Sequence, residues 1–216
     1  YAALRNENER IVRRAKIQLE SQVLERTGEL RAALAQLETA HTRLREASRH
    51  DALSGLYNRG WCRERFETLL EAAKAQGKPL SLMMIDLDDF KQVNDRWGHL
   101  VGDEVLRNFA KALLRHVRSS DIVARYGGEE FLVVLPGIGE EAAAQVVRRI
   151  LSEVSGVAMA DVGGQPLHIT FSAGLATQGA LEQSRHVDDL LRAAAAALYG
   201  AKREGRNRVS VGAVGG

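Results

Sequence analysis

Apolar and polar residues alternate with a helical period through the first fifty positions of the chain. There is no proline between Ala3 and Ser48, and apolar residues recur every seven positions along two seams. The first seam holds Val23, Leu30, Leu37 and Leu44, and the second holds Val12, Leu19, Ala33, Ala40 and Ala47. This stripe predicts a long helix that pairs with a second copy as a parallel coiled coil. The alternative is a helix whose stripe packs against its own domain.

Beyond residue 50 the pattern changes to short apolar runs that alternate with helical segments. Residues 51–59 gather turn-forming residues around two leucines, which predicts a rigid joint. We predict helices over about 60–75, 90–116, 140–154 and 187–202, and strands over about 80–87, 121–126, 130–135, 167–175 and 208–211. The order predicts an α/β domain of the α+β type, with helices packed on one face of a sheet, over residues 51–216.

Charge and cysteine content exclude several classes of function. The formal charge is +2 overall, and residues 1–50 contribute +3 of it, which leaves −1 for the remainder. A domain without a basic excess is a poor match for the phosphate backbone of nucleic acid, so we expect no nucleic-acid partner. The single cysteine, Cys62, excludes an internal disulfide, and the six histidines show no zinc-binding spacing.

The chain starts at Tyr1 and contains no apolar run long enough for a membrane span. We therefore expect a cytoplasmic domain whose upstream sensor, and any membrane anchor, belong to a preceding part of a longer protein.

Acidic residues follow directly on the apolar run 80–85. Asp86, Asp88 and Asp89 stand within four positions, and Lys91 comes next. Carboxylates gathered in this way raise one another's pKa and are best stabilised by a cation, for which a hard divalent ion is suited. The alternative is an ordinary strand end with exposed acids.

A second acidic group follows the pair Gly127-Gly128, which stands between two β-type runs. A two-residue glycine turn predicts a tight hairpin, and glycines let backbone approach a phosphate closely. If strand 80–87 lies beside this hairpin, Asp86 and Glu129 can share one metal ion. Without that neighbour, the segment is a hairpin with a charged tip.

Five motifs occur in one order along the chain, and together they resemble the GGDEF family in its GGEEF form. They are Asp51–Arg59, with Ser54 where the family has threonine; Asp86–Asp95, with Asp89 where the family varies; Gly98-His99 with Gly102-Asp103; Gly127–Phe131; and Ala201–Asn207. The resemblance extends from Asp51 to about Val209. It implies a palm-like or ferredoxin-like antiparallel central sheet flanked by helices.

The resemblance also implies an activity and its cofactor. Members of the family are diguanylate cyclases, which condense two GTP molecules into cyclic di-GMP and two pyrophosphates across a homodimer. The cofactor would be Mg²⁺, with Mn²⁺ as an alternative. Its ligands would be the carboxylates of Asp86 and Glu129, the carbonyl of Leu87 and, as a further ligand, Glu130.

Substrate contacts follow from the same motifs. Asn94 and Asp103 would bind the guanine edge, where a carboxylate accepts from N1–H and N2–H and an amide donates to O6. The phosphates would be neutralised by Lys91, Lys202 and Arg206, and further substrate contacts would come from Phe90, Gly127 and Gly128. Glu129 and Lys91 would be the catalytic residues. Taken singly, Lys91 is equally typical of a solvated helix face and Lys202 of a helix C-terminus.

A regulatory site is implied by Arg118-Ser119-Ser120-Asp121, which ends five residues before Gly127. It matches the family's RxxD motif, and Arg149 lies where the family adds a further arginine. We expect cyclic di-GMP to bind there and inhibit its own synthesis. The alternative is a surface ion pair between Arg118 and Asp121.

The expected partners are therefore GTP, cyclic di-GMP, a second copy of the chain held through the coiled coil, and an upstream sensor, in a bacterial cytoplasm. Three other functions are weighed against this one. They are a non-catalytic GGDEF-type receptor for GTP or cyclic di-GMP, a template-dependent nucleotidyltransferase, and a structural coiled-coil adaptor. The intact acidic and basic motif residues disfavour the first, and the absence of basic excess disfavours the second. A structural coiled-coil adaptor would have no use for the acidic residues and paired glycines of the motifs.

Overall fold

The computed structural model describes residues 2–47, 49–179 and 186–212, with side chains on the first helix described mainly between positions 13 and 40. The chain divides into two compact units, Tyr1–Ser48 and Arg49–Gly216.

The first unit is the predicted long helix, α1, over Ala2–Ala47. Four stripe residues, Leu19, Val23, Leu30 and Leu37, are between 57% and 67% exposed, and Ala33 and Ala40 are exposed as well. The stripe residues Val12, Leu44 and Ala47 lie outside the described side chains. Within the described ranges, no helix combines the length and the apolar character required to cross a bilayer.

The second unit is an α/β domain built around a six-stranded sheet. Its elements are β1 (Tyr57–Asn58), α2 (Arg59–Ala75), β2 (Leu80–Leu87), α3 (Phe90–Trp97), α4 (His99–His116), β3 (Ile122–Arg125), β4 (Glu130–Pro136), α5 (Glu140–Gly156), β5 (Ala160–Val162), β6 (Gln165–Leu167), β7 (Phe171–Gln178), α6 (Val187–Arg203) and β8 (Val209–Val211). The strand order is β1-β3-β4-β2-β7-β8, and β5 pairs separately with β6. The inner strands are antiparallel, as expected, whereas β1 and β8 join the edges in parallel.

Strand β2 lies at the centre of the sheet and is buried on both faces. Met83, Ile85 and Leu87 belong to a core cluster with α4 and α5, whereas Leu82 and Met84 belong to a second cluster with α2 and α6. The expectation of helices on one face only is therefore wrong. A continuous apolar run such as 80–85 is typical of a strand covered on both sides, because successive side chains point to opposite faces.

Three local expectations are also corrected by backbone geometry. The predicted helix 90–116 is two helices, since Gly98 adopts φ +84° and ends α3 at Trp97. The strand predicted over 167–175 starts at Phe171. The residues before it form a β5–β6 hairpin whose loop is Gly163-Gly164, and both of these glycines have positive φ. The two-residue glycine turn predicted for Gly127-Gly128 thus occurs at this second pair instead.

Cys62 is fully buried among apolar side chains on α2. Burial raises the pKa of its thiol to about 12, because the thiolate would lose its hydration. The thiol is therefore a packing group.

Helix α6 carries Lys202 and packs closely on β7 at Gly174. A Cβ at Gly174 would lie 1.9 Å from the Ala194 carbonyl oxygen and 2.4 Å from the Leu198 nitrogen. Because both atoms are backbone, we predict that Gly174→Ala displaces α6 and lowers the free energy of unfolding by about 1–3 kcal/mol.

The matched control is Gly200→Ala on α6, where a Cβ would meet nothing within 4 Å. Helix propensity predicts a change of at most about 1 kcal/mol there, in the stabilising direction. Urea unfolding of both variants measures the difference. Equal stability of the two would contradict this account of the α6–β7 contact.

Candidate functional site

The site is built on the carboxyl end of β2. Asp86 pairs in register with Glu130 on β4, so the two acidic motifs lie on neighbouring strands. This confirms that strand 80–87 lies beside the strand after Gly127-Gly128, which is the condition for Asp86 and Glu129 to share one metal ion. The Asp86 side chain is 13% exposed, and the Nζ of Lys202 lies 2.7 Å from its Oδ1. Lys202, near the end of α6, is thereby brought to the acidic strand end.

The Gly127-Gly128 segment lies in a wider loop than predicted. The N–H groups of Tyr126 and Gly127 both donate to the Glu130 carbonyl, over 2.8 and 3.2 Å, and neither glycine adopts a positive φ. The Glu130 carboxylate lies against Gly127, because a Cβ there would be 2.4 Å from Oε2 of Glu130 and would make that side chain shift. The N–H of Leu87 donates to the Glu129 carbonyl over 3.3 Å, which fastens this loop to the end of β2.

The donors at this strand end are all oxygen atoms. They are the carboxylates of Asp86, Glu129 and Glu130 together with the backbone carbonyl of Leu87. Such a set suits a hard divalent cation better than a soft metal. In the described part of the chain, no three His, Cys, Asp or Glu side chains are gathered as a metal-binding group. The charge of Asp86 is met by Lys202 instead.

Asp88 has a role that differs from the one its neighbours suggest. Its side chain is buried, with 7% of the residue exposed, and accepts from Thr170 Oγ1 and Ser172 Oγ, each at 2.7 Å. The N–H of Asn207 donates to the same carboxylate over 3.0 Å. Asp88 therefore joins the ends of β2 and β7 to the turn after α6. The sequence shows the acid but not the three donors, which lie far along the chain.

The turn after α6 has a left-handed backbone. Gly205, Arg206 and Asn207 have φ values of +113°, +61° and +48°. Such values are costly for residues other than glycine. The turn is supported by the Arg206 N–H, which donates to the Ala201 carbonyl over 3.1 Å, and by the bond from Asn207 to Asp88. Arg206 is half exposed, and its Nε lies 3.7 Å from Oδ1 of Asp89. The turn therefore places Arg206 beside the start of α3.

The remaining predicted substrate residues lie on α3 and α4. The Phe90 side chain is buried in the core, whereas Lys91 is exposed. Asn94 on α3 lies against Gly102 on α4, the residue before Asp103. A Cβ at Gly102 would lie 2.0 Å from Oδ1 of Asn94, so this glycine makes room for the amide.

Arg125 connects the loop to the joint that follows α1. Its Nη1 lies 3.2 Å from Oδ1 of Asp51, and its Nε and Nη2 donate to the Gly128 carbonyl over 3.0 and 2.7 Å. Burial opposes ionisation of Asp51, but hydrogen bonds from Ser54 and Arg125 outweigh it and lower the pKa of this carboxyl. Sequence reasoning placed a rigid joint at 51–59 but did not find its link to the glycine loop.

The predicted regulatory residues lie at the far end of α4. Oδ2 of Asp121 accepts from the backbone N–H of Arg118 at 2.7 Å, and the Arg118 side chain is exposed. The carboxylate thus binds backbone rather than the guanidinium. Arg149 on α5 donates to the His116 carbonyl over 2.9 Å, two residues before Arg118.

Comparisons with known proteins agree with this geometry. Residues 48–208 match the family described as "Diguanylate cyclase, GGDEF domain". Diguanylate cyclase DosC of Escherichia coli K12 is 40% identical over 171 residues, which are 77% of this chain and 36% of DosC. The chain thus spans little more than a third of that relative's length.

Two solved structures resemble most of the chain. The coiled coil and GGDEF domain of DgcB from Caulobacter crescentus, in complex with c-di-GMP, has a TM-score of 0.72 at 29% identity, covering 88% of this chain and 98% of the solved one. Diguanylate cyclase SiaD of Pseudomonas aeruginosa, in complex with its activator SiaC, has a TM-score of 0.72 at 34% identity, covering 97% of this chain and 79% of that one.

The contacts of Asp88 yield a stability prediction. Asp88→Asn replaces a buried anion, which accepts three hydrogen bonds, with a neutral amide that accepts through one oxygen only. We predict a loss of about 1–3 kcal/mol in the free energy of unfolding, measured by urea unfolding.

The control is Asp89→Asn, at the exposed neighbouring position, for which we predict a change within about 0.5 kcal/mol. If Asp88→Asn is as stable as this control, the carboxylate does not hold the three segments together.

Proposed function

The chain belongs to the GGDEF-domain family of diguanylate cyclases, and we propose that it joins two GTP molecules into cyclic di-GMP with release of two pyrophosphates. One observation carries the proposal. At the end of β2, which leads into α3, Asp86 contacts Lys202 and pairs in register with Glu130, the residue after Glu129. Such a set serves phosphoryl transfer, which depends on positioning and on charge stabilisation.

A divalent cation fits the donors at the strand end. Mg²⁺, or Mn²⁺ in its place, would be held by Asp86, Glu129, the Leu87 carbonyl and Glu130, and would supply charge neutralisation for the triphosphate. The space that Gly127 leaves beside the Glu130 carboxylate supports this assignment. Lys202, which meets the charge of Asp86, lies close enough to turn to a phosphate oxygen.

Guanine would be selected by Asn94 and Asp103. The carboxylate accepts from the N1–H and N2–H groups of guanine, and the amide donates to O6. Adenine would leave these buried polar contacts unpaired, which costs binding free energy. The close packing of Asn94 over Gly102, the residue before Asp103, supports this pairing.

The phosphates would be bound by Lys91, Lys202 and Arg206, together with backbone N–H groups at Phe90, Gly127 and Gly128. In each half-reaction the 3′-oxygen of one GTP bonds to the α-phosphorus of the other, the bond from that phosphorus to the oxygen bridging the α- and β-phosphates breaks, and pyrophosphate departs with this oxygen. Glu129 would accept the 3′-hydroxyl proton. The reaction occurs twice to close the ring.

One domain holds one GTP, so two domains must face each other. We propose that α1 holds them together as a parallel coiled coil, because its seam residues are exposed at heptad spacing. In the DgcB structure a coiled coil accompanies the GGDEF domain, which supports this interpretation of α1. The Asp51–Arg125–Gly128 contacts offer a route from the joint to the glycine loop, along which an upstream sensor or an activator would act.

Product feedback is proposed for Arg118, Asp121 and Arg149. The arginines supply forked donors for guanine or phosphate, and the exposure of Arg118 leaves its donors accessible. The DgcB complex with c-di-GMP supports product binding by a relative. Because GTP is drawn from the cytoplasmic pool, we place the domain's activity in the cytoplasm.

The first functional prediction concerns Glu129. Glu129→Gln keeps the size of the side chain but removes the proton acceptor and the metal-binding charge. We predict that formation of cyclic di-GMP from GTP and Mg²⁺, measured by mass spectrometry, falls at least about 100-fold.

Glu64→Gln, at an exposed position on α2, is the control and should retain the parent rate. A parent chain that binds GTP but forms no product would instead favour a non-catalytic receptor.

The second functional prediction concerns the seam of α1. Leu30→Lys puts a charge on the seam, whereas Leu24→Lys puts the same charge on an equally apolar residue off the seam that is 79% exposed. We predict that Leu30→Lys alone weakens dimerisation, about tenfold or more in Kd, and lowers turnover at dilute protein. Light scattering coupled to the activity assay measures both. Equal effects of the two substitutions would exclude the proposed seam.

A further inference from the structure

A chain of four charged or titratable side chains joins α4 to α5 beside the proposed feedback site. Arg115 Nε donates to Oε1 of Glu153 over 2.9 Å, and the other carboxylate oxygen contacts Nε2 of His116. Arg149 Nε then donates to Nδ1 of His116 over 3.1 Å, and its Nη2 donates to the His116 carbonyl. His116 is the last residue of α4, and its side chain is 15% exposed.

These contacts fix the tautomer of His116. Guanidinium N–H groups only donate, so Nδ1 must accept from Arg149 and cannot carry a proton. The proton of the neutral imidazole is therefore on Nε2, where it is donated to Glu153. Hydrogen bonds from His116 and Arg115 lower the pKa of Glu153, which keeps this acceptor ionised.

The contacts also orient Arg149. Two of its five N–H donors are bound to His116, which leaves the outer edge of the guanidinium for a ligand. His116 lies two residues before Arg118, and the Arg118 backbone N–H is held by Asp121 over 2.7 Å. The end of α4 thus fixes one arginine of the feedback site directly and stands beside the other.

We propose that His116 is the positioning residue for Arg149, and that it holds Arg149 ready for cyclic di-GMP only while its imidazole is neutral. The inference rests on the proposed feedback site and adds to it a dependence on pH. A protonated imidazole carries hydrogen on both nitrogens, so it loses the bond from Arg149 and repels that cation. Product binding at this site then weakens as the pH falls.

The charged groups around the imidazole determine the direction of the effect. Glu153 from α5 stabilises the imidazolium, whereas Arg149 from α5 and Arg115 from α4 oppose it. In the turn after α4, the Arg118 side chain is exposed, and the Asp121 carboxylate accepts a hydrogen bond from the Arg118 backbone N–H. The protonated ring keeps its bond to Glu153, so protonation breaks the contact with Arg149 selectively.

The test is calorimetric binding of cyclic di-GMP to the intact chain at several values from about pH 8 to pH 5.5. We expect the Kd at the site containing Arg118 to rise about tenfold over this range, as loss of one charge-assisted hydrogen bond implies. The Arg118→Ala variant identifies which binding belongs to that site.

Two substitutions separate positioning from mere packing. His116→Asn places an amide oxygen near the position of Nδ1, so it should keep tight binding and lose the pH dependence. His116→Gln reaches towards Glu153 but lacks that acceptor, so its binding should be weaker by about tenfold at every pH. Thermal unfolding at each pH verifies that the variants are folded.

The contrary outcomes distinguish the role of His116 from the feedback site itself. If the parent binds cyclic di-GMP through Arg118 with a Kd that is independent of pH, or if both variants behave alike, the role of His116 is refuted and the feedback site stands. If no binding is sensitive to Arg118→Ala, the feedback site itself is refuted together with the inference. Formation of cyclic di-GMP from GTP is measured independently of both.

Discussion

The buried carboxylate of Asp88 is the interaction on which the arrangement of the site depends. An anion without hydrogen bonds would be strongly destabilising there, and this one is satisfied by Thr170, Ser172 and the backbone of Asn207. Three segments distant in sequence are therefore fixed together at the end of β2. This bond also helps to hold the strained turn that carries Arg206.

The positions of the other site residues are determined by strand register and helix packing. The pairing of Asp86 with Glu130 gathers the acids, and the close contact of α6 with Gly174 sets the position of Lys202. Strand register and helix packing thus set the positions of these residues within one domain. Its glycine loop is tied through Arg125 to the joint after α1, so a movement of the joint reaches the residues proposed to bind metal and phosphate.

Local patterns in the sequence predicted most of the elements, because strand and helix periodicity are local properties, and the strands that carry the two acidic motifs are neighbours as predicted. Contacts between distant segments could not be read in this way. Asp88 looks like another candidate ligand until Thr170 and Asn207 are seen to surround it. Gly127-Gly128 and Gly163-Gly164 are both pairs of consecutive glycines. Only the strands on either side show that the first pair lies in a loop beside the Glu130 carboxylate, whereas the second forms the tight turn of the β5–β6 hairpin.

The central claim is that one domain provides half of a reaction centre and that catalysis requires two. The most direct measurement is the rate of cyclic di-GMP formation per chain as the intact protein is diluted, with oligomeric state followed by light scattering. The account predicts that this specific rate falls in step with the conversion of dimer to monomer. A specific rate that stays constant after the protein has become monomeric would contradict it.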